Sequence, residues 1–319
     1  MRIAIVGAGA MGSVYAGLLA SAGNEVWAID PWAAHVTVIR ERGLRVEGAS
    51  GDRVVRIGAT TEPADVGPVD LVVIATKAMH VRAAAEGARA LLGPETVVLT
   101  IQNGLGSGDV AAEALGDDRV VLGVAGGFGA SIVAPGHVHH HGLELVRLGE
   151  RHGPVTPRVE RVAGAWRAAG FTVRTYDDVD RLVWEKLICN VCFSGTCTVL
   201  GVTIGEVLDD PDAWSVASAC AREAFDVAMA SGVALSFDDP LPYVRAFGER
   251  LRGARPSMLL DRLAGRPSEI QVINGAIPPR AAAVGLAAPV NETVTALVRA
   301  GEPRSVGEAG SERRGQDES

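Results

Sequence analysis

The most constraining feature is a glycine-rich turn that interrupts an apolar run at the start of the chain. Residues 2–6 (Arg-Ile-Ala-Ile-Val) are apolar after Arg2 and rich in β-branched side chains, as a buried parallel strand requires. Gly7-Ala8-Gly9-Ala10-Met11-Gly12 follows, and 13–22 reads as helix, closed by Gly23-Asn24. Residues 25–29 form a second strand that ends at Asp30. Strand, tight turn, helix and strand within about 30 residues make a βαβ unit. Further strand candidates at 44–46, 54–57, 71–76, 97–101 and 120–124 are separated in several places by helical segments. This alternation predicts a doubly wound α/β domain.

The rest of the chain reads differently. Residues 138–148 alternate well enough to predict an antiparallel hairpin. From about Asp177 onward, long amphipathic or apolar segments take over, at 178–200, 212–231, 241–252, 269–284 and 290–300. The expected organisation is a dinucleotide-binding α/β domain over 1–176, an all-helical domain over 177–300, and a polar tail over 301–319 too poor in apolar residues to order. A chain of 319 residues has room for two domains.

Composition narrows the function. Hydrophobic residues make up 48% and charged residues 21%, which excludes a disordered chain. A net charge of −8 and only 4% aromatic residues argue against a nucleic-acid binder, which needs clustered Lys/Arg and stacking platforms. The first residues lack the long apolar run of a signal segment, and no stretch approaches the ~18 apolar residues of a membrane span. Cys189, Cys192, Cys197 and Cys220 crowd into one short region rather than spreading as a disulfide framework, so the expectation is reduced thiols in the cytoplasm.

In its strand-to-helix context, Gly7-x-Gly9-x-x-Gly12 points to a dinucleotide. Gly7 permits the tight turn, Gly9 lets a pyrophosphate approach the backbone, and Gly12 lets helix and strand pack closely. The amides of the first helical turn, with Ala10 and Met11, face the phosphates under the positive end of the helix dipole. Asp30, 18 positions past Gly12, stands where an acidic side chain accepts from the adenosine ribose hydroxyls of NAD. It would also repel a 2′-phosphate, at roughly 3 kcal/mol per charge pair for ~5 Å and an effective dielectric of ~20, less whatever solvent and Lys77 screen. The expected cofactor is therefore NAD(H) in preference to NADP(H). Asp30 could instead cap the turn Asp30-Pro31-Trp32.

Four further stretches join the glycine loop: Ala75-Thr76-Lys77-Ala78, Ile101-Gln102-Asn103-Gly104-Leu105-Gly106, Trp184-Glu185-Lys186-Leu187-Ile188-Cys189-Asn190, and Pro256-Ser257-Met258 followed by Glu269-Ile270-x-x-Ile273-Asn274-Gly275. In this order and spacing the chain resembles the ketopantoate reductase (2-dehydropantoate 2-reductase) family over roughly residues 1–300. The resemblance implies a Rossmann domain followed by a helical domain, substrate between the two, and hydride transfer from NAD(P)H to the ketone carbon of a 2-oxo acid. It implies that Lys186 is the catalytic lysine and that Glu269 helps position substrate. It places Asn103 and Asn190 near nicotinamide and substrate, makes Ser257 a substrate-binding serine, and makes Lys77 a cofactor contact. Three positions depart from the family pattern. Ser194 replaces an asparagine one turn beyond Asn190, Ala254 or Arg255 replaces a polar residue before the Ser-Met pair, and Asp30 replaces an NADP-selecting basic residue.

The residues themselves agree with these roles. Ketone reduction builds negative charge on oxygen, which needs a proton or a strong hydrogen bond. All seven histidines lie at or before His152, so the helical region has none to offer, whereas Lys186 sits in an apolar helix start with Asn190 one turn on, on the same face. Blander readings stay open. Lys186 could be a snorkelling surface lysine, Glu269 a helix N-terminal charge, Ser257 a helix cap and Asn103 a turn residue. Cys189-x-x-Cys192 lies in an apolar helix without a second ligand pair, so core packing is expected rather than metal. His137, His139, His140 and His141 suggest a surface hairpin, with His139 and His141 on one face. The leading reading is a 2-oxo acid reductase, with a homodimer as the partner expectation. The alternatives are a dehydrogenase of another 2-hydroxy acid or opine-type substrate, and a non-catalytic nicotinamide sensor.

Overall fold

The computed structural model of the chain defines residues 1–127, 129–142 and 145–302, so residues 303–319 of the expected tail lie outside the described part. Two compact units are present. One comprises Met1–Leu187 with Val233–Leu235, and the other Ile188–Gly232 with the residues from Ser236 onward.

The first unit holds twelve strands among the described residues. In chain order they are β1 (Arg2–Val6), β2 (Glu25–Ile29), β3 (Leu44–Gly48), β4 (Arg53–Val55), β5 (Gly58–Thr60), β6 (Val69–Ile74), β7 (Leu92–Thr100), β8 (Val120–Gly126), β9 (Gly129–Ala134), β10 (His137–Gly142), β11 (Leu145–Glu150) and β12 (Val173–Thr175). Its helices are α1 (Ala10–Ser21), α2 (Ala33–Arg42), α3 (Val81–Ala88), α4 (Ser107–Leu115) and α5 (Pro157–Ala168), together with the start of α6 (Val179–Leu200). The main sheet runs β12-β11-β8-β7-β6-β1-β2-β5 and is parallel except where β11 meets β8. Strand order reverses at β1, which pairs with β2 on one side and β6 on the other. A ligand crevice forms at such a reversal, beyond the carboxyl ends of the strands.

The two-residue alternation of β1 feeds both faces of this sheet. Ile3 and Ile5 join a cluster with Tyr15, Trp166 and Phe171, while Ala4 and Val6 pack with Val72, Ile74, Val81, Ala85 and Ala111. A second sheet, β4-β3-β10-β9, lies over α1. Gly17 makes that approach feasible, because a Cβ there would press on Val46.

One expectation fails here. Residues 138–148 do not form a single hairpin. β10 pairs antiparallel with β9 and parallel with β3 in the small sheet, whereas β11 pairs antiparallel with β8 in the main sheet. Alternation specifies which face a residue takes, not which strand it pairs with. The turn of the actual β9–β10 hairpin is Pro135-Gly136, with Gly136 at φ 70°. The two strands of β4 and β5 likewise replace the single strand expected at 54–57.

The second unit is helical. After the remainder of α6 come α7 (Ile204–Asp209), α8 (Pro211–Ala230), α9 (Pro240–Arg250), α10 (Ser257–Leu263), α11 (Ile277–Ala283) and α12 (Pro289–Ala300). The helix expected over 269–284 breaks into two 3₁₀ turns and α11. Pro278 and Pro279 tolerate only the first turn of a helix, so α11 cannot extend upstream through them. A buried network ties this unit together. Asn274 Nδ2 donates to the Val191 carbonyl at 2.9 Å and to Asn291 Oδ1 at 3.0 Å. Asn291 Nδ2 donates in turn to the Cys220 carbonyl and to Glu223. The four cysteines are buried in this core and form no disulfide, and burial pushes the thiols of Cys197 and Cys220 up to about 12. Among the described residues no helix is long and apolar enough to cross a membrane.

Candidate active site

At the reversal point β1 runs into Gly7, whose φ of 94° is in the left-handed region. A side chain there would meet the Thr76 backbone nitrogen at 2.6 Å, so glycine is what lets the β1 and β6 ends close on each other. The Gly7 and Ala8 amides donate to the Ile29 carbonyl at 2.8 and 3.3 Å, which fixes the loop to the end of β2. A Cβ on Gly12 would strike the Gly7 carbonyl oxygen, so α1 packs on the turn only with glycine at this position. Gly9 is different. Nothing lies within 4 Å of where its Cβ would be, and its φ is −65°. The fold itself does not require glycine at 9, and the open space beside it is what a close-approaching phosphate needs.

α1 begins at Ala10 with no side-chain cap, and its first-turn amides, including those of Ala10, Met11 and Gly12, have no intrahelical acceptor. Three oxygens, Thr76 Oγ1 and Gln102 Oε1 just past the ends of β6 and β7 and Ser107 Oγ at the start of α4, are buried without a partner among the described residues. A polar ligand that reached them would satisfy these groups. The glycine cradle and the orphaned oxygens together fit a nucleotide.

Asp30 Oδ1 accepts from the Trp32 amide at 2.9 Å, the turn-capping bond that the sequence left open. This occupies one carboxylate oxygen and fixes the side chain at the end of β2. Lys77 is half-buried at the head of a 3₁₀ turn after β6.

Two of the candidate residues, Lys186 and Asn103, come together within the same unit. Lys186 Nζ donates to Asn103 Oδ1 at 2.7 Å and to the Ala125 carbonyl. Asn103 comes from the loop after β7 and Ala125 from β8, so two neighbouring strands hold one ammonium. The half-buried lysine is thus not a solvent-splayed surface residue. Gln102 Nε2 donates to the Ile74 carbonyl at 2.6 Å and to the Thr76 carbonyl at 3.2 Å, bracing the loop that carries Asn103. The Ala125 carbonyl had no sequence signal, being a backbone atom, and Gln102, although it lies in a stretch that carries the family resemblance, acts through backbone partners that the sequence does not name.

The second unit carries the remaining candidates. Asn190 is half-buried on α6, and Ser194, one turn further, is buried. Ser257 is exposed at the first position of α10. Pro256 stands at the cap, and no side chain makes a capping bond, so a capping role for Ser257 is not what the structure displays. Glu269 is half-buried just ahead of a three-residue 3₁₀ turn, too short to supply the dipole that would stabilise a helix N-terminal charge. Among the described residues no group of three or more His, Cys, Asp and Glu is placed to hold a metal ion. His139 and His141 do share a face, with ring centroids 4.7 Å apart. His140, however, is fully buried and meets Ser50 Oγ at 3.0 Å.

Comparison with known proteins shows the family. The family profile described as "Ketopantoate reductase PanE/ApbA" matches residues 3–153, and that of its C-terminal part matches residues 178–302. The 2-dehydropantoate 2-reductase of Halobacterium salinarum is 32% identical over 303 residues, 94% of this chain and 98% of the relative. That of Pyrococcus abyssi is 33% identical over 307 residues, 95% and 98% of the two chains. Among solved structures, a ketopantoate reductase from Ralstonia eutropha superposes with a TM-score of 0.87 at 33% identity, covering 94% of this chain and 98% of the other. A D-mandelate dehydrogenase solved with NADH and anilino(oxo)acetate superposes at 0.86 with 29% identity and the same coverage. On the matched profiles and these full-length relatives, the chain belongs to the ketopantoate reductase family of oxidoreductases.

Proposed function

We propose that this chain reduces the ketone of a small 2-oxo acid, ketopantoate or a close analogue, with NADH as the preferred nucleotide. The observation that carries the reading is the Lys186 ammonium held between Asn103 Oδ1 and the Ala125 carbonyl, in the unit that carries the glycine loop. A nicotinamide nucleotide bound at that loop supplies or accepts the hydride. Gly7, Gly9 and Gly12 with the amides of Ala10 and Met11 receive its phosphates, Asp30 its ribose hydroxyls, and Lys77 and Asn103 contact it further along. Lys186 gives its proton to the substrate oxygen as negative charge develops there. Asn103 orients that proton by accepting from the same ammonium. Glu269 positions the substrate, with Asn190, Ser194 and Ser257 as its further partners; the assignments of Glu269, Asn190 and Ser257 rest on the family resemblance, and that of Ser194 on its place one turn beyond Asn190 on α6.

A second reading, an NAD-dependent dehydrogenase of another 2-hydroxy acid, is favoured by Ser194 and Asp30 where ketopantoate-active relatives differ, and by the likeness to a D-mandelate dehydrogenase. Oxidation of NADH and NADPH against a panel of 2-oxo acids, with the reverse reaction on the matching hydroxy acids, decides between them. Absence of turnover in both directions would sink both. A cytoplasmic location is supported by four cysteines that form no disulfide. A homodimer is supported by Leu260, Leu263 and Leu297, which stand exposed on α10 and α12, and sedimentation reads it directly.

A further inference from the structure

His35 on α2 is fully buried, yet all of its polar atoms are engaged. The Gly136 amide, in the β9–β10 turn, donates to its Nδ1 at 3.0 Å. That bond needs the Nδ1 lone pair, so the ring proton resides on Nε2, which lies 3.1 Å from Ser13 Oγ. The Ser13 hydroxyl donates to the Ala8 carbonyl at 2.8 Å. The series therefore has one direction: Gly136 N–H to His35, His35 N–H to Ser13, Ser13 O–H to Ala8. It joins the small sheet, α2 and α1 to the middle of the glycine loop. The Trp32 indole covers the ring, stacked at 5.0 Å and 12°.

We infer that His35 is a positioning residue for the nucleotide: as the neutral Nε2–H tautomer it holds the Ala8 carbonyl through Ser13, and with it the backbone amides of residues 9–12 that receive the phosphates. The inference rests on the reading that a nicotinamide nucleotide binds this loop. Ala8 cannot shift without carrying Gly9, because the peptide between them is planar. A proton added at Nδ1 would point at the Gly136 N–H, setting donor against donor and opening the series at its anchored end.

The groups that face His35 are few. Ser13 comes from α1, the Ala8 carbonyl from the loop, the Gly136 amide from the β9–β10 turn, and Trp32 and Asp30 from the β2–α2 connection. Burial lowers the affinity of His35 for a proton and outweighs the opposing pull of Asp30 and of the Ala8 carbonyl, so the ring stays neutral near pH 7. Acid therefore loosens the loop.

The test is direct binding of NADH to the full-length protein by nucleotide fluorescence, between about pH 5 and pH 8, for the wild type, Ser13→Ala and His35→Gln. Ser13→Ala suits the helix interior and is expected to weaken NADH about five- to thirtyfold, the scale of a buried hydroxyl bond lost from both partners, while turnover at saturating NADH stays within about twofold. Wild-type affinity is expected to fall as the pH drops below the ordinary histidine range. His35→Gln has no proton to gain there, so it should bind weakly at neutral pH but lose this acid limb. A purely structural role would lower thermal stability and leave the pH dependence of NADH binding in place. Unchanged affinity in Ser13→Ala, or an acid limb that persists in His35→Gln, would overturn the inference alone. Failure of the wild type to bind NADH would overturn the nucleotide reading and the inference with it. Should His35→Gln not fold, Ser13→Ala and the wild-type profile still decide.

Discussion

The Lys186–Asn103 pair makes a quantitative claim. Lys186→Met keeps the apolar stem and deletes the ammonium that donates to Asn103 Oδ1 at 2.7 Å and to the Ala125 carbonyl. If that ammonium is the general acid, turnover drops about 10²–10⁴-fold, or roughly 3–5.5 kcal/mol of transition-state stabilisation. Asn103→Ala leaves the lysine one of those two acceptors. A hydrogen bond to a charged group is worth about 1.5–3 kcal/mol, so this variant should turn over roughly 10- to 150-fold more slowly. The combination separates two accounts. If Asn103 works by aiming Lys186, the double variant is no slower than Lys186→Met, because no ammonium remains to aim. If the two act independently, their losses multiply to roughly 10³–10⁶-fold. Single-turnover consumption of NADH at saturating nucleotide and oxo acid reads this cycle, with circular dichroism as the check on folding. Near-normal turnover in Lys186→Met would refute the general-acid role. A multiplicative double variant would refute the pairing while leaving the lysine in place.

Three other outcomes follow from the same geometry. Gly9→Ala should fold with a nearly unchanged thermal midpoint, since its Cβ meets nothing within 4 Å, yet lose at least about tenfold in NADH affinity; Gly12→Ala, whose Cβ strikes the Gly7 carbonyl, should lose both stability and affinity, and equal behaviour of the two variants would contradict the assignment. Asp30→Ser should lower the KM for NADPH about tenfold, a fraction of the roughly 3 kcal/mol charge repulsion because the site is partly solvated, and a wild type that already prefers NADPH would end the argument. Burial pushes the Glu150 carboxyl up, but bonds from Arg158 and Thr156 overcome this and hold it below the usual carboxylate range. Its contribution to stability is therefore present above that range and lost as pH falls through the lowered value. Arg158→Ala should cost about 2 kcal/mol in denaturant unfolding near neutral pH, discounted because the guanidinium is partly exposed, and flatten the acid limb; an unchanged acid limb would contradict the pairing.

What could be read from the sequence follows the range of the interactions involved. The β1–α1–β2 unit was legible because its signals are local: an apolar strand, three glycines at fixed spacing and an acidic residue at the next strand end. The division into an α/β part and a helical part was legible from periodicity. The pairing of β10 and β11 into different sheets was not, because both segments alternate alike and only tertiary partners distinguish them. Pro278 and Pro279 carried the local signal that breaks the expected helix over 269–284, and the apolar period around them masked it. In the candidate site, the residue types Lys186 and Asn103 could be singled out by family likeness, but their 2.7 Å contact joins positions 83 apart, and the second acceptor, the Ala125 carbonyl, has no side-chain identity at all. His35 shows the limit most clearly. Within α2 it reads as one more half-apolar helical residue. Its partners lie 22 and 101 positions away, and only their directions show that the ring must be neutral and protonated on Nε2. A motif such as Gly-x-Gly-x-x-Gly states where a phosphate can approach. Whether the loop is held still enough to receive it is decided by residues outside the motif, and that makes the pH dependence of nucleotide binding a more searching test of this site than a substitution within the glycines.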